Sequence, residues 1–511
     1  MVEDSLRKRY FYKLFTNIAG YAIGLITMGI IPRALGPKAF GDFNFLTNFF
    51  NQVVNFLDMG SSTAFFTKIS QRQKESSLFA FYLWFTVLVT ILILLGVSLA
   101  GVFRVHQRLW PGQNIIFVYC GALWAILNWV FNVLNQATDA YGLTVSAEIK
   151  KLYQKIFSVM LILILFYNHL INLASFFIYQ YAIQIFIILS FFWVLKQNRK
   201  LPYRWKMTQE QTRYYGKEFF VYCYPLFFYS LFSLLTGIFD RWILQYYSGS
   251  VQQGFYGLGY QIGTICLIFT SSMTPLFIRE FSMAYGNQDR DRMIFLFRRY
   301  IPFLYVITAY FSCFAATQAD VLIKIFGGSQ YSAALLPVIL MCIFPIHSTY
   351  GQLSGSVFLA TGQTKLYRNL GVPFMIFGSM LTYILIAPQD KFGLNMGASG
   401  LAIKMVLLQF ILVNVQLFFN AKFLGISFIR YFVHQIIVIV LFLAIGIDSR
   451  FFGDFLLRGT PFIFSFIFSG LVYTAVCIVC AFYYPRVFGL YRDDIEFFLR
   501  FFQFKDLTAK K

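Results

Sequence analysis

Asn44, Asn48, Asn51, Asn55, Asp58 and Ser62 recur at steps of four, three, four, three and four. On an α-helix such positions share one side, within an arc of roughly 80°. Asn128, Asn132, Asn135 and Asp139 repeat the pattern, and Gln180 and Gln184 add a one-turn pair. Each amide offers two donors and a carbonyl acceptor, a good complement to sugar hydroxyls. Between them stand Phe, Leu, Val and Met. Hydrocarbon solvates neither amides nor carboxylates, so these faces must turn toward other helices or water. One or two amides suffice to join two helices. Runs of four and six point instead to a hydrated cavity for a polar cargo.

Charges within the apolar stretches are few. Lys404 lies about ten residues into its stretch, roughly 15 Å deep, too far for its side chain to reach the headgroups comfortably. Asp58 lies at a similar depth in the stretch over 40–67, and Asp240 and Arg241 about two turns from an end of theirs. Phosphate on a cargo would be met by Arg241 and Lys404, with Lys68 and Arg279 as further partners at the ends of their stretches. Arg33, Lys68 and Arg279 also suit the role of interfacial anchors. Asp58 or Asp240 would bind H⁺ or Na⁺ and couple its gradient to transport, since buried carboxylates exchange protons near neutrality. A structural carboxylate paired with a nearby amide or Arg fits the same positions, and both readings stay open.

The elements that carry these residues are membrane helices. The chain has 511 residues, 59% hydrophobic and only 12% charged, against about 25% charged in soluble domains. Spanning helices of about 20 apolar residues are expected at 13–33, 40–67, 78–103, 114–138, 149–167, 172–195, 218–246, 253–278, 299–318, 332–360, 367–387, 394–420, 427–447 and 460–484. With a cytoplasmic N-terminus, 32 of the 42 Lys and Arg fall in inner loops and tails. That bias places both termini in the cytoplasm. The net charge of +21 then belongs to loops facing anionic lipid, and nucleic acid is not expected as a partner. The basic start leads directly into a full span, so no cleavable signal is expected.

A basic cytoplasmic linker over 196–217 separates an N-lobe of six spans (1–195) from a C-lobe of six (218–420). Spans 13 and 14 (421–484) and a cytoplasmic amphipathic tail (485–511) follow. Gly36, Gly41 and Phe43 match Gly249, Gly254 and Tyr256 at a constant offset of 213 residues, marking the first hairpin of each lobe as a duplicated element. Six spans is an even number, so the lobes enter the membrane alike, as parallel repeats with cargo bound between them. The expected fold is therefore all-α and polytopic, with about fourteen spans.

No catalytic centre is expected, so the chain does not read as an enzyme. It has no phosphate-binding Gly-rich loop of an ATP-driven pump and no outside domain bearing a nucleophile. Cys477 and Cys480 form a C-x-x-C inside an apolar run, where small packing residues are the better reading. The four His show no paired ligand spacing, so neither a metal nor another cofactor is expected.

The hairpin PRALGPKAFGDF followed by FLDMGSSTAFFTK resembles the start of the bacterial polysaccharide-transporter (oligosaccharide flippase) family, within the multidrug, oligosaccharidyl-lipid and polysaccharide exporter superfamily. FDRWILQYYSGSVQQGFYGLGYQI, TPLFIREF and ATGQTKLYRN are similar to later family segments, with Asp240 and Arg241 as the acid–base pair. The resemblance implies two six-helix lobes around a cationic cavity in the cell (inner) membrane. It also implies flipping of undecaprenyl-diphosphate-linked oligosaccharides for O-antigen, capsule or exopolysaccharide synthesis, with a polysaccharide polymerase as a partner. A cation-coupled multidrug antiporter is an alternative, although about twelve spans would be usual for one. A peptidoglycan lipid-precursor flippase is another, although only Arg33 and Lys68 flank spans 1 and 2.

Overall fold

A computed structural model describes residues 6–72, 75–202, 207–224 and 227–490. Most of the expected amphipathic tail, from residue 491 onward, lies outside the described residues, as does the middle of the basic linker at 203–206. The helices in chain order are α1 (Leu6–Asp58), α2 (Ser61–Gln71), α3 (Ser76–Val102), the single turn α4 (His106–Leu109), α5 (Ile115–Ala140), α6 (Thr144–Tyr167), α7 (Leu173–Gln197), α8 (Gln209–Cys223) and α9 (Phe227–Ile265). They continue with α10 (Ile268–Gly286), α11 (Arg290–Thr317), α12 (Ala319–Phe326), α13 (Leu335–Ala360), α14 (Thr364–Ile386), α15 (Gly397–Leu424), α16 (Phe428–Leu456) and α17 (Phe462–Tyr483). No strand occurs among the described residues, which is the all-α architecture expected for a chain that must satisfy its backbone within hydrocarbon.

Nine of the described helices are individually long and apolar enough to cross a membrane: α3, α5, α7, α11 and α13–α17. The other five expected spans are largely helical in their described residues, but breaks or charges interrupt them. Gly36 is a non-helical residue inside α1 (φ 72°) and Gly249 inside α9 (φ 77°). Glycine populates positive φ at little cost, so the expected duplicated turn is real at both sites. Each is a sharp break in a nearly continuous helix rather than a loop.

The second expected span needs correction. Met59 (φ 42°) and Gly60 (φ 80°) adopt left-handed conformations, so the helix stops at Asp58 and α2 restarts at Ser61. The six-residue stripe therefore belongs to two helices, and Ser62 leaves the register of Asn44–Asn55. The linker also contains more helix than expected. Thr208 and Gln211 form a reciprocal capping box that starts α8 inside it, satisfying backbone donors at the helix end.

The chain divides into two compact units, Met1–Gly254 with Ile386–Gly397, and Phe255–Leu385 with Ala398–Lys511. In the first, α1 packs on α5 and α6, and α5 on α7. Its core is rich in rings, such as Phe65 stacked on Tyr82 at 4.3 Å and Phe43 edge-on to Phe176 at 4.7 Å. Aromatic pairs add about 0.5–1.5 kcal/mol beyond their burial, useful where lipid removes the hydrophobic drive between helices. In the second unit, α11 packs on α13 and α16, and α16 on α17. There Thr270, Thr308 and Thr349 close a fully buried ring of hydroxyls at 2.9–3.1 Å, tying α10, α11 and α13 together.

Candidate functional site

The two amide stripes lie on neighbouring helices of one unit, since α1 and α5 pack together. Asn44 turns its amide back to the Phe40 carbonyl at 2.7 Å, within its own helix. Among the described residues, Asn48 and Asn135 each bury a carbonyl oxygen with no donor, the state in which a polar atom recruits a water or a ligand. Asn51 and Asn128 are half-buried, and Asn55 and Asn132 exposed. Asn55 lines a cavity of about 120 Å³ with Gln52, Ser230 and Ser233, between α1 and α9. The stripe thus meets space and polar side chains of α9 at Asn55.

Asp58 is a hydrogen-bond hub. One carboxylate oxygen accepts from the Ser61 hydroxyl (2.9 Å), the Ser62 backbone N–H (3.0 Å), the Tyr82 hydroxyl (3.0 Å) and Trp129 Nε1 (3.2 Å). The other accepts from the Ser62 hydroxyl at 2.9 Å. The carboxylate caps the first turn of α2, where backbone donors lack helical partners, and fastens α3 and α5 to that junction.

Lys68 on α2 and Arg72, the residue that follows that helix, both meet Glu218 Oε1 on α8 at 2.6 Å. Nearby, the Tyr215 hydroxyl pairs with Ser77 at 2.8 Å and donates to Glu75 at 3.3 Å. Lys68 also borders a cavity of about 650 Å³, together with Lys217 and Tyr222. Glu218 takes up part of the charge that the sequence offered to a phosphate.

Arg241 spans the break in α9. Its guanidinium donates to Gln253 Oε1 at 3.1 Å, while the Gln253 amide donates back to the Arg241 carbonyl. Asp240 is half-buried and Arg279 exposed. In the second unit, Lys404 on α15 is only 7% exposed and lies across Gly378 of α14. A β-carbon at residue 378 would come within 3.2 Å of Lys404 Cε and 2.8 Å of Leu408. Glycine there leaves room for the ammonium-bearing chain.

Sequence reasoning missed the network at the duplicated breaks. Asp42 accepts from Gln113 Nε2 at 2.6 Å and from the Ser250 hydroxyl. Gln245 donates to Ser250 and to the Pro111 carbonyl, both at 3.0 Å. A β-carbon on Gly41 would collide with the Ser250 carbonyl oxygen, and one on Gly254 with that of Pro37. The offset of 213 relates Gly41 to Gly254 and Pro37 to Ser250, so the two breaks touch reciprocally. Asp42, a carboxylate at the start of an apolar stretch, was the available signal.

Fold comparison gives the class. The chain superposes on the lipid II flippase MurJ in its inward closed conformation with a TM-score of 0.62 and 15% identity, covering 94% of this chain and 99% of that one. An inward-facing multidrug-resistance MATE-family transporter of the MOP superfamily gives 0.60 and 13%, covering 80% and 98%. A MOP-superfamily transporter from Pyrococcus furiosus gives 0.52 and 15%, covering 83% and 97%. The fold is therefore that of MOP-superfamily transporters, in a multi-pass membrane protein. The polysaccharide biosynthesis protein family matches residues 6–277, and the chain belongs to that family. The resemblance carried by the hairpin motifs is borne out. No curated protein matches the chain.

Proposed function

We propose that this protein is a flippase moving undecaprenyl-diphosphate-linked oligosaccharide units from the inner to the outer leaflet, for O-antigen, capsule or exopolysaccharide synthesis. The observation that carries the reading is the pairing of two amide-bearing helices, each with a buried, donor-free carbonyl at Asn48 or Asn135. Asn44, Asn48, Asn51, Asn55, Asn128, Asn132 and Asn135 would receive sugar hydroxyls. Arg241, Lys404, Lys68 and Arg279 would meet the diphosphate. The cycle would be alternating access in the inner membrane, both termini cytoplasmic, with a polysaccharide polymerase receiving the product. Asp58 or Asp240 would bind H⁺ or Na⁺ for coupling; we put Asp240 first because five hydrogen bonds already engage the Asp58 carboxylate.

Deleting the gene should accumulate polyprenyl-linked repeat units on the cytoplasmic leaflet, and Asn48→Leu with Asn135→Leu should reproduce that build-up at normal protein abundance. Unchanged glycan export after deletion refutes the reading. Loss of viability with accumulation of peptidoglycan precursor would assign the cargo to cell-wall synthesis instead.

A further inference from the structure

In the second unit, the first turns of α16, the first half of α11 and the turn after α17 line a cavity of about 1120 Å³. Arg298, Arg430 and Arg486 line it, with His434 and Tyr431. Among the described residues no carboxylate forms an ion pair with any of the three arginines. Three like charges converge on one space.

The walls are fixed rather than loose. His434 Nε2 bonds the Val487 carbonyl at 2.8 Å. Phe488 is buried edge-on to Phe442 at 5.4 Å. Gly489 (φ 66°) lies so close to α11 that a β-carbon would reach Phe303 N at 2.8 Å. Alongside the arginines the surface changes character. Val433 and Ile437 line the cavity and are 44% and 46% exposed, and Val440, one turn further along α16, is 61% exposed.

We infer that this cavity binds the headgroup of an anionic glycerophospholipid. Guanidinium forks match phosphate oxygens bidentately, and basic pockets between spanning helices are a recurrent lipid-headgroup site. The apolar row on α16 decides for a lipid over a free anion, because it offers acyl chains a surface directly beside the phosphate. The arginines lie toward helix ends that the Lys and Arg distribution assigns to the cytoplasmic leaflet, where anionic lipid supplies the ligand. The site is separate from the amide stripes and independent of what cargo they carry.

The full-length protein in detergent, titrated with phosphatidylglycerol or phosphatidylcholine and followed by native mass spectrometry, is expected to prefer phosphatidylglycerol. Each of Arg298→Gln, Arg430→Gln and Arg486→Gln should weaken that binding about 5-fold, and the three together about 100-fold. Phosphatidylcholine binding should stay unchanged in every variant. The single variants carry the test should the triple variant fail to fold. Unchanged phosphatidylglycerol affinity in all of them overturns the inference. Displacement by millimolar inorganic phosphate as effective as by lipid would make it a simple anion site and overturn the lipid assignment. So would phosphatidylglycerol binding that emerges only after neutralising Asp493, Asp494 and Glu496, because the chain's own terminal segment would then be the occupant.

Discussion

Replacing Asp58 separates a structural carboxylate from a coupling one. In Asp58→Asn the amide oxygen can keep the four donors now shared by one carboxylate oxygen: Ser61, the Ser62 N–H, Tyr82 and Trp129. The new NH₂ group faces the Ser62 hydroxyl, which can rotate to accept. Five bonds survive in number but lose charge assistance, so the cost should be about 1–3 kcal/mol. Asp58→Ala removes the shared acceptor and orphans the Trp129 indole N–H and the Ser62 N–H, while the Tyr82 hydroxyl keeps only Ser61 Oγ at 2.8 Å. At about 1–3 kcal/mol for each orphaned donor, with some relaxation, the loss should reach about 3–5 kcal/mol, a large part of a typical protein's stability. Thermal unfolding of the purified protein, read beside glycan export in a deletion strain, tests both arms. The Asp58→Asn protein should be folded and export-competent, and the Asp58→Ala protein scarce. A well-folded Asp58→Asn variant without export would show that the proton, not the scaffold, is what Asp58 serves. An Asp58→Ala variant of normal stability would refute the hub.

Gly41→Ala forces a β-carbon against the Ser250 carbonyl and should destabilise by about 3 kcal/mol. Gly29→Ala in the same helix meets nothing within 4 Å and should be neutral or stabilising by up to about 1 kcal/mol; equal unfolding temperatures would contradict the close crossing. Lys404→Gln should cut export at least tenfold without lowering membrane abundance, and Gly378→Val, which crowds Lys404, should do likewise; full export in both would remove Lys404 from the cargo path. Cysteines at Asn48, Asn51 and Asn55 should react with a water-soluble maleimide, whereas one at Leu92 on the apolar face of α3 should not. Uniform protection would reduce the stripe to helix packing.

The sequence exposed what depends on local pattern. Within the described residues each of the fourteen apolar stretches is largely helical, and the glycine spacing located both positive-φ breaks. It hid what depends on the opposite partner. Nothing in the DMGSS segment broke the apolar periodicity, yet an aspartate two residues before a glycine and followed by two serines is turn chemistry, and that signal outweighs hydropathy. Glu218 was invisible as the partner of Lys68 because 150 residues separate them. The Thr270–Thr308–Thr349 ring was likewise illegible, since threonines occur throughout apolar helices and only their convergence gives them meaning. Arg241 stood out in the sequence by its charge, while its grip on Gln253 required knowing that α9 bends at Gly249.

The reciprocal contact at the two breaks binds the fate of two distant glycines. Residue 41 touches residue 250 and residue 254 touches residue 37, and each pair maps onto the other through the 213-residue offset. A patch that meets its own copy in this manner is isologous, the hallmark of a two-fold homodimer. Each glycine keeps the backbone of the opposite break clear, so neither position can gain a side chain without cost to the other.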